Sequence, residues 1–313
     1  MKILIVCSGK PSNPKWNFKL NRSYVYEQAE SIKDLGMEYD TYFIEGKGVF
    51  GYLKNYKNII KKIKEYQPDL VHAHYGLSGL LSNLQRKVPV VTTFHGSDIN
   101  IKKNRLFSYV ASKLSADNIF VNDYQPAKIN YHGQRHVIPC GVDSKRFFLI
   151  DKYKARKKLN LDLNKKYGLF TGSFDNGVKN YPLAKEAILK SKSTIELLEL
   201  KAYTREEVSL LLNAVDFLLM TSFSEGSPMV IKEAMCCNCP IVTVDVGDVK
   251  KIISRRKNCY VTTYHPEKIS ECINQILTLD KRIEGKETLN NYSLEKIANR
   301  VVKVYQRVLS QKN

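Results

Sequence analysis

The sequence has no apolar run that approaches the ~20 consecutive residues needed to cross a lipid bilayer. Residues 1–6 (MKILIV) are mostly apolar, but they are too few for the core of a signal peptide. We therefore predict that they begin a first β-strand and that the protein is cytoplasmic. Seven cysteines, an odd number, also exclude a disulfide framework of the secreted type.

The sequence also lacks the ligand spacing of a metal site. Three cysteines lie within residues 236–239, but no second cysteine pair and no histidine pair stands at ligand spacing from them. His72, His74 and His95 likewise have no carboxylate or cysteine tied to them by spacing. We predict buried structural thiols, no metal, and a structural role for His72 and His74.

Acidic residues are few, since 31 Asp and Glu stand against 50 Lys and Arg, for a net charge of +19. This excess either spreads over solvated surfaces or favours an anionic partner such as phospholipid, a lipid diphosphate or nucleic acid. No helix-turn-helix, RNA-binding motif or zinc finger is present, so we predict no nucleic-acid partner. The composition, 43% apolar and 26% charged, is that of a soluble globular chain.

Residues 52–66 predict a basic amphipathic helix. Tyrosine and isoleucine alternate there with five lysines, namely Lys54, Lys57, Lys61, Lys62 and Lys64. The apolar stripe of such a helix either packs on a sheet or lies on an anionic membrane surface, and the sequence leaves both readings open.

Predicted strands and helices alternate along the whole chain, which indicates an α/β fold with doubly wound parallel sheets. At 313 residues the chain is long for a single core and suits two domains. The lysine-rich segment 151–166 has little strand character and is the predicted linker. Ligands of such folds bind at the carboxyl ends of the strands.

One stretch carries a strand, a turn, a helix and a second strand. The apolar run 214–220 predicts a buried strand, and Ser227 and Pro228 predict the N-cap and first residue of a helix. The helix should end just before Asn238, which accepts a left-handed conformation, and strand 241–244 should follow.

The start of this helix predicts an anion site flanked by carboxylates. Backbone N–H groups face outward there and the helix dipole favours an anion; they belong to Gly226, Ser227, Met229 and Val230. Glu225 in the turn and Glu233 in the helix, with seven residues between them, would repel a phosphate but suit hydroxyl groups on either side of it. A ligand with hydroxyls flanking a diphosphate is a nucleotide sugar.

The segment SEGSPMVIKEAMCCNCPIV resembles the E-x7-E signature of retaining glycosyltransferases of family 4. The resemblance implies the GT-B architecture, in which two Rossmann-like domains face each other across a cleft. It implies that Glu233 holds the ribose hydroxyls, and that Glu225, Gly226 and Ser227 hold the sugar near the reacting carbon. The leaving phosphate would be stabilised without a divalent metal by the N–H groups of Met229 and Val230.

Three further elements are similar to those of the same family. TTFHGSDI resembles a loop whose histidine, here His95, faces the donor sugar and supports the departing phosphate. IPCGVD with Phe147 resembles the element that ends the first domain. GSFDNGVKN resembles the segment that supplies an arginine and a lysine to the diphosphate; Lys179 matches, while Ser173 stands in place of the arginine. Lys201 or Arg205 would then compensate.

The resemblance implies transfer of a hexose from a nucleoside diphosphate sugar, with retention, to a glycan or lipid-linked acceptor. Two alternatives stay open: a sugar-nucleotide epimerase of GT-B type, and a non-catalytic subunit that binds a sugar nucleotide. The predicted layout is an acceptor-side domain over 1–150, the linker 151–166, a nucleotide-sugar domain over 167–290, and a last helix within 291–313 that returns to the first domain.

Overall fold

A computed structural model describes residues 1–253 and 256–311. The chain forms two compact units, and each is described separately below. Unit 1 comprises Met1–Gly141 and Leu294–Asn313, and unit 2 comprises Val142–Ser293.

Unit 1 contains a parallel sheet of six strands in its described residues, in the order β2-β1-β3-β4-β5-β6. The strands are β1 (Lys2–Ser8), β2 (Glu38–Ile44), β3 (Leu70–His74), β4 (Val90–Phe94), β5 (Asp117–Phe120) and β6 (His136–Val137). The helices that connect them are α1 (Phe18–Asn21), α2 (Ser23–Lys33), α3 (Gly48–Leu53), α4 (Tyr56–Tyr66), α5 (Gly76–Asn83), α6 (Ser97–Asn100), α7 (Arg105–Leu114) and α8 (Gln125–Lys128), with a 3-10 turn at Lys102–Asn104.

Unit 2 contains a parallel sheet whose described strands follow the order β11-β10-β9-β7-β8. The strands are β7 (Lys166–Phe170), β8 (Ile195–Glu199), β9 (Phe217–Met220), β10 (Ile241–Val244) and β11 (Cys259–Thr262). The helices are α9 (Lys152–Lys158), α10 (Tyr181–Leu189), α11 (Arg205–Ala214), α12 (Met229–Cys236), α13 (Val249–Ile253) and α14 (Pro266–Leu279), with 3-10 turns at Gly177–Lys179 and Lys286–Tyr292.

The last helix, α15 (Leu294–Ser310), belongs to unit 1. Its apolar stripe, which includes Ile297, Val301 and Tyr305, packs in one core cluster with Ile3 and Ile5 of β1. Apolar residues recur every three or four positions along α15, so one face of the helix is buried and the opposite face is charged. The chain therefore returns to its first unit at its end.

The predicted α/β class with doubly wound parallel sheets is confirmed, and the strand bounds differ where charged residues are buried. The sequence predicts a strand from Ile119, yet β5 begins at Asp117. The carboxylate of Asp117 is buried and pairs with His136 at 3.0 Å and Arg307 at 3.8 Å. Because these partners lie far along the chain, a local pattern assigns Asp117 to a turn instead of a strand.

The predicted linker 151–166 is wrong in position, because this segment is part of unit 2. Arg156 of α9 is buried, donates to the carbonyls of Ala214 and Leu163, and forms an ion pair with buried Asp216 at 3.0 Å. The division between the units lies at Gly141–Val142 instead. The apolar side chains that follow it, such as Phe147, already pack in the core of unit 2.

The apolar stripe of the basic helix α4 packs on the sheet of unit 1. Ile59 and Ile63 are buried in a cluster with Leu4 and Val71. Four of the five lysines predicted on this helix are exposed, at positions 54, 57, 61 and 64. Among the described residues, no helix is both long enough and apolar enough to span a bilayer.

Candidate functional site

The predicted strand–turn–helix forms in unit 2 with a shifted cap. Strand β9 ends at Met220, and α12 begins at Met229, with Pro228 as its N-cap residue. The prediction of Ser227 as the N-cap is wrong, because its hydroxyl donates to Asp248 Oδ2 at 2.7 Å. Asn238 after the helix has the predicted left-handed conformation (φ 52°).

Ser227 is the centre of a buried polar cluster that local sequence patterns do not reveal. Lys232 of α12 is fully buried and donates from Nζ to Ser227 Oγ at 2.7 Å, while Ser227 donates in turn to Asp248. Burial raises the pKa of Asp248, and the nearby Lys232 ammonium opposes this rise. The cluster ties the turn before α12 to the loop after β10, so it holds the start of the helix in place.

Lys179 and Glu225 form an ion pair at the carboxyl edge of the sheet of unit 2. Lys179 Nζ lies 2.7 Å from Glu225 Oε1, and both side chains are mostly buried, with 22% and 15% exposed. The stem of Lys179 crosses Gly172, where a Cβ atom would lie only 2.9 Å from Lys179 Cγ. Gly172 therefore provides the space in which Lys179 reaches the turn before α12.

Backbone contacts join the lysine loop to the turn. Thr221 Oγ1 donates to the carbonyls of Lys179 and Asn180 at 3.0 and 2.9 Å, and the Phe223 N–H donates to the Val178 carbonyl at 2.9 Å. These bonds hold the loop after β7 and the loop after β9 side by side, which is where ligands of parallel α/β sheets bind.

Ser173 lies among carboxylates. Its hydroxyl donates to Glu199 Oε1 at 2.8 Å and to Asp175, and the Phe174 N–H donates to the same Glu199 oxygen at 2.6 Å. Lys201 is about half exposed and pairs with Asp175 at 3.2 Å. The Ser173 hydroxyl thus contacts two carboxylates, and one of them, Asp175, also pairs with Lys201.

Arg205 pairs with Glu233. Arg205 Nη2 lies 2.7 Å from Glu233 Oε1, the Glu233 side chain is 2% exposed, and the guanidinium stacks over the Phe147 ring at 4.7 Å. A capping box of Thr204 and Glu207 holds Arg205 at the start of α11. The two cations suggested to compensate for the missing arginine both have carboxylate partners, Asp175 for Lys201 and Glu233 for Arg205.

His95 lies at the end of β4 in unit 1, within a cluster of aromatic rings. Its Nε2 is 2.9 Å from His74 Nδ1, its Nδ1 is 3.9 Å from Cys140 Sγ, and its ring contacts Tyr24 and Tyr75. Burial, with a smaller contribution from the positive charge that His72 or Arg22 can carry, lowers the pKa of His95 to about 3. His95 is therefore a neutral imidazole at neutral pH.

The predicted structural role of His72 agrees with its contacts. Its Nε2 is bonded to Thr93 Oγ1 at 2.7 Å and its Nδ1 to the Tyr305 hydroxyl at 2.6 Å, and burial lowers its pKa to about 3. The His74 ring lies beside it, tilted by 38° with the ring centroids 4.3 Å apart, and is bonded to His95 through Nδ1. Its Nε2 is buried without a hydrogen-bond partner among the described residues.

No group of three or more His, Cys, Asp or Glu side chains in the described parts of the chain could hold a metal ion. The three clustered cysteines, Cys236, Cys237 and Cys239, are buried in the core of unit 2. Burial raises the pKa of Cys239 to about 11, as expected for packed, protonated thiols.

The structure thus brings together, within unit 2, every site residue predicted from the second half of the chain except Ser173, whose hydroxyl contacts the carboxylates of Asp175 and Glu199. The joined residues are Lys179, Glu225, Gly226, Ser227, Met229, Val230 and Glu233. Three members of the arrangement were not predicted from sequence: Lys232, Asp248 and the Arg205 pairing. Their only sequence signal is the charge itself. Lys232 lies within α12, and Arg205 and Asp248 lie where a loop meets a helix.

Comparison with known proteins identifies the family of the chain. Residues 169–279 match the sequence family described as glycosyl transferases group 1, and residues 39–146 match Glycosyltransferase Family 4. The chain is 30% identical over 297 residues to an uncharacterized glycosyltransferase of Methanocaldococcus jannaschii, covering 82% of this chain and 81% of that protein.

Two more proteins extend the comparison. N,N'-diacetylbacillosaminyl-diphospho-undecaprenol alpha-1,3-N-acetylgalactosaminyltransferase of Campylobacter jejuni is 24% identical, over 90% of this chain and 89% of its own. The crystal structure of Anabaena Alr3699/HepE in complex with UDP and glucose superposes with a TM-score of 0.75 at 15% identity, over 98% of this chain and 100% of that one. The GT-B fold is thereby confirmed, and the chain belongs to the group 1, family 4 glycosyltransferases.

Proposed function

We propose that this glycosyltransferase moves a hexose from a nucleoside diphosphate sugar to a glycan or lipid-linked acceptor, with retention of anomeric configuration. The observation that supports it most is the Lys179–Glu225 ion pair of 2.7 Å beside the start of α12. A diphosphate would attract the ammonium and leave the carboxylate to accept hydrogen bonds from sugar hydroxyls. The HepE complex with UDP and glucose agrees with such a ligand.

In this proposal the leaving diphosphate is stabilised by fixed positive groups. Lys179 supplies a full charge, and the first N–H groups of α12, at Met229 and Val230, have no intrahelical carbonyl to bind. Such donors are oriented before the reaction, so they stabilise the charge that develops on the departing oxygen. The buried cluster of Ser227, Lys232 and Asp248 keeps the helix start rigid.

Glu233 is the proposed partner of the ribose hydroxyls. Its Oε1 accepts from Arg205, which orients the buried carboxylate. His95 is the proposed partner of the transferred sugar. Its Nδ1 is the atom a sugar hydroxyl could engage, because the 3.9 Å contact of that atom with Cys140 Sγ is weak.

Donor binding can be tested by thermal unfolding with a panel of nucleoside diphosphates and their sugars. A ligand at 100 times its dissociation constant is expected to stabilise the folded protein by about 2.7 kcal/mol. Glu233→Ala should lose most of this stabilisation, while Glu196→Ala, an exposed carboxylate of the same unit, should retain it. Stabilisation by no member of the panel would contradict the proposed function. An unchanged response of Glu233→Ala would contradict the ribose assignment alone.

We further propose that the enzyme binds its acceptor at an anionic membrane surface, as a lipid-linked acceptor requires. The name of the Campylobacter jejuni relative includes such an acceptor. Phe50 is 85% exposed and Leu53 44% exposed, and they lie three residues apart on α3. Lys47, Lys54 and Lys57 beside them are exposed and have no ion pair within the described residues. Residues 46–64 contain no acid. This surface combines apolar side chains with positive charge.

Vesicle binding tests this surface. Phe50→Ser with Leu53→Ser should weaken binding to vesicles containing phosphatidylglycerol by at least about tenfold, because burying one large apolar side chain is worth roughly 1.5–3 kcal/mol. Leu189→Ser, at a leucine of unit 2 that is 75% exposed, is the matched control and should bind as the unmodified protein does. Equal binding of neutral phosphatidylcholine vesicles, or no effect of the double change, would contradict the proposal.

A further inference from the structure

A cavity of about 360 Å³ lies within unit 1 at the carboxyl edge of its sheet. Ser8 ends β1, Tyr75 directly follows β3, and Ser97 and Asp98 follow β4, so the ends of three neighbouring strands contribute to the wall. Its size is within the range of small-molecule sites, and ligands of parallel α/β sheets bind at this edge. None of the residues assigned to the donor lines it.

Arg22 places a positive charge in the wall of this cavity. Its Nε donates to the Ser8 carbonyl at 3.1 Å, Nη2 donates to Ser8 Oγ at 2.9 Å, and Nη1 donates to the Asn21 carbonyl at 3.0 Å. All three acceptors are neutral, and Arg22 has no ion pair within residues 1–253 and 256–311. A guanidinium has five N–H donors, so two remain for a ligand.

The other charged residue in the wall does not neutralise Arg22. Asp98 is buried, and its Oδ1 accepts the N–H groups of His95 and Gly96 at 3.2 and 2.8 Å. Its Oδ2 accepts the Gly76 N–H at 3.2 Å. Both carboxylate oxygens of Asp98 are therefore bonded to backbone N–H groups of the loop after β4 and of the start of α5. The half-buried guanidinium therefore still lacks a counter-ion.

Hydroxyl groups line the rest of the cavity. Serines at positions 8, 97 and 108 and tyrosines at positions 52 and 75 face it, together with the amide of Asn104. Hydroxyls both donate and accept, so such a wall suits a ligand rich in hydroxyl groups. A guanidinium without a counter-ion suits a phosphate or carboxylate, which it can bind through two parallel hydrogen bonds.

We propose that this cavity binds an acceptor sugar that carries an anionic group, a phosphate or a carboxylate, with Arg22 as the residue that selects the charged acceptor. The word acceptor rests on the proposed function, whereas the anion site rests on the cavity and Arg22 alone. Arg22 thereby determines acceptor specificity and takes no part in holding the donor.

Binding of soluble charged sugars tests the proposal. The protein, saturated with the nucleoside diphosphate that stabilises it most so that phosphate cannot enter the donor site, is titrated with glucose 1-phosphate, glucuronate and neutral glucose. We expect one or both charged sugars to bind at least about tenfold more tightly than glucose, as charge-assisted hydrogen bonds predict. Arg22→Gln should remove that preference, and Arg22→Lys, which keeps the charge without the planar fork, should retain part of it.

Arg105→Gln is the matched control. Arg105 is also half-buried in unit 1 and donates to the carbonyls of Ile99 and Asn100, but it does not line the cavity. Binding of glucose 1-phosphate alone would identify a phosphorylated acceptor, and binding of glucuronate alone would identify an acidic sugar. The proposal is overturned if neither charged sugar binds better than glucose, or if Arg22→Gln binds them as the unmodified protein does.

Stabilisation by nucleoside diphosphate measures donor binding, so it distinguishes a failure of the proposed function from a failure of the anion site at Arg22. Stabilisation by nucleoside diphosphate is expected to be unchanged in Arg22→Gln, because the residues assigned to the diphosphate and the ribose belong to unit 2. If no nucleoside diphosphate stabilises the protein, the proposed function fails, and the titration is then run without one and still decides whether Arg22 holds an anion.

Discussion

Replacing Lys179 with methionine is expected to lower kcat/KM for sugar transfer by about 10²–10³-fold, the loss seen when one preorganised donor to a developing charge is removed. Methionine keeps most of the stem that packs across Gly172 but removes the ammonium that pairs with Glu225 at 2.7 Å. The substitution has two consequences, and both lower kcat/KM. The diphosphate loses its cation, and Glu225 loses the partner that orients it. Steady-state kinetics with the best donor of the panel measure the effect.

Lys201→Met is the matched control for this prediction. Lys201 is also a lysine of unit 2 and also pairs with an acid, Asp175, but its side chain is 53% exposed. Because exposed ion pairs contribute little, its loss should change kcat/KM by less than about twofold. If instead Lys201→Met were the damaging change and Lys179→Met the mild one, the phosphate cation would be Lys201 and the assignment of Lys179 would be wrong.

Replacing Asp216 with alanine is expected to lower the free energy of unfolding by about 3–5 kcal/mol, because it leaves a buried charge without its partner. The carboxylate of Asp216 pairs with buried Arg156 at 3.0 Å, accepts the Tyr167 N–H at 2.7 Å and contacts Lys152. These bonds join α9, the start of β7 and the start of β9. Urea denaturation followed by circular dichroism measures the loss.

Asp175→Ala controls for the loss of an aspartate of unit 2 that also pairs with a lysine. Its side chain is 75% exposed, so the free energy of unfolding should change little. A loss below about 1 kcal/mol for Asp216→Ala would show that Arg156 finds other acceptors or water. In that case the carbonyls it already contacts, such as those of Leu163 and Ala214, would be sufficient for its stability.

The elements nearest the site were predictable because their signals are local. Strand β10 has the bounds that its apolar run predicts. The turn around Glu225 and the left-handed Asn238 follow from residues within one or two helical turns of each other. The predicted N-cap of α12 was wrong because the Ser227 hydroxyl bonds instead to Asp248, 21 residues away in the sequence.

The amino-acid order by itself determined the alternation of strands and helices, the two-part α/β organisation and the motif that predicts a sugar-nucleotide site. Only the tertiary structure decided which charges are paired. It joined Arg205 to Glu233, Arg156 to Asp216 and Lys179 to Glu225, over separations of 28 to 60 residues. It also left Arg22 facing a cavity without a counter-ion. Periodicity and capping depend on neighbours within a few residues, whereas the partner of a charge depends on which segments the fold brings within a few ångströms.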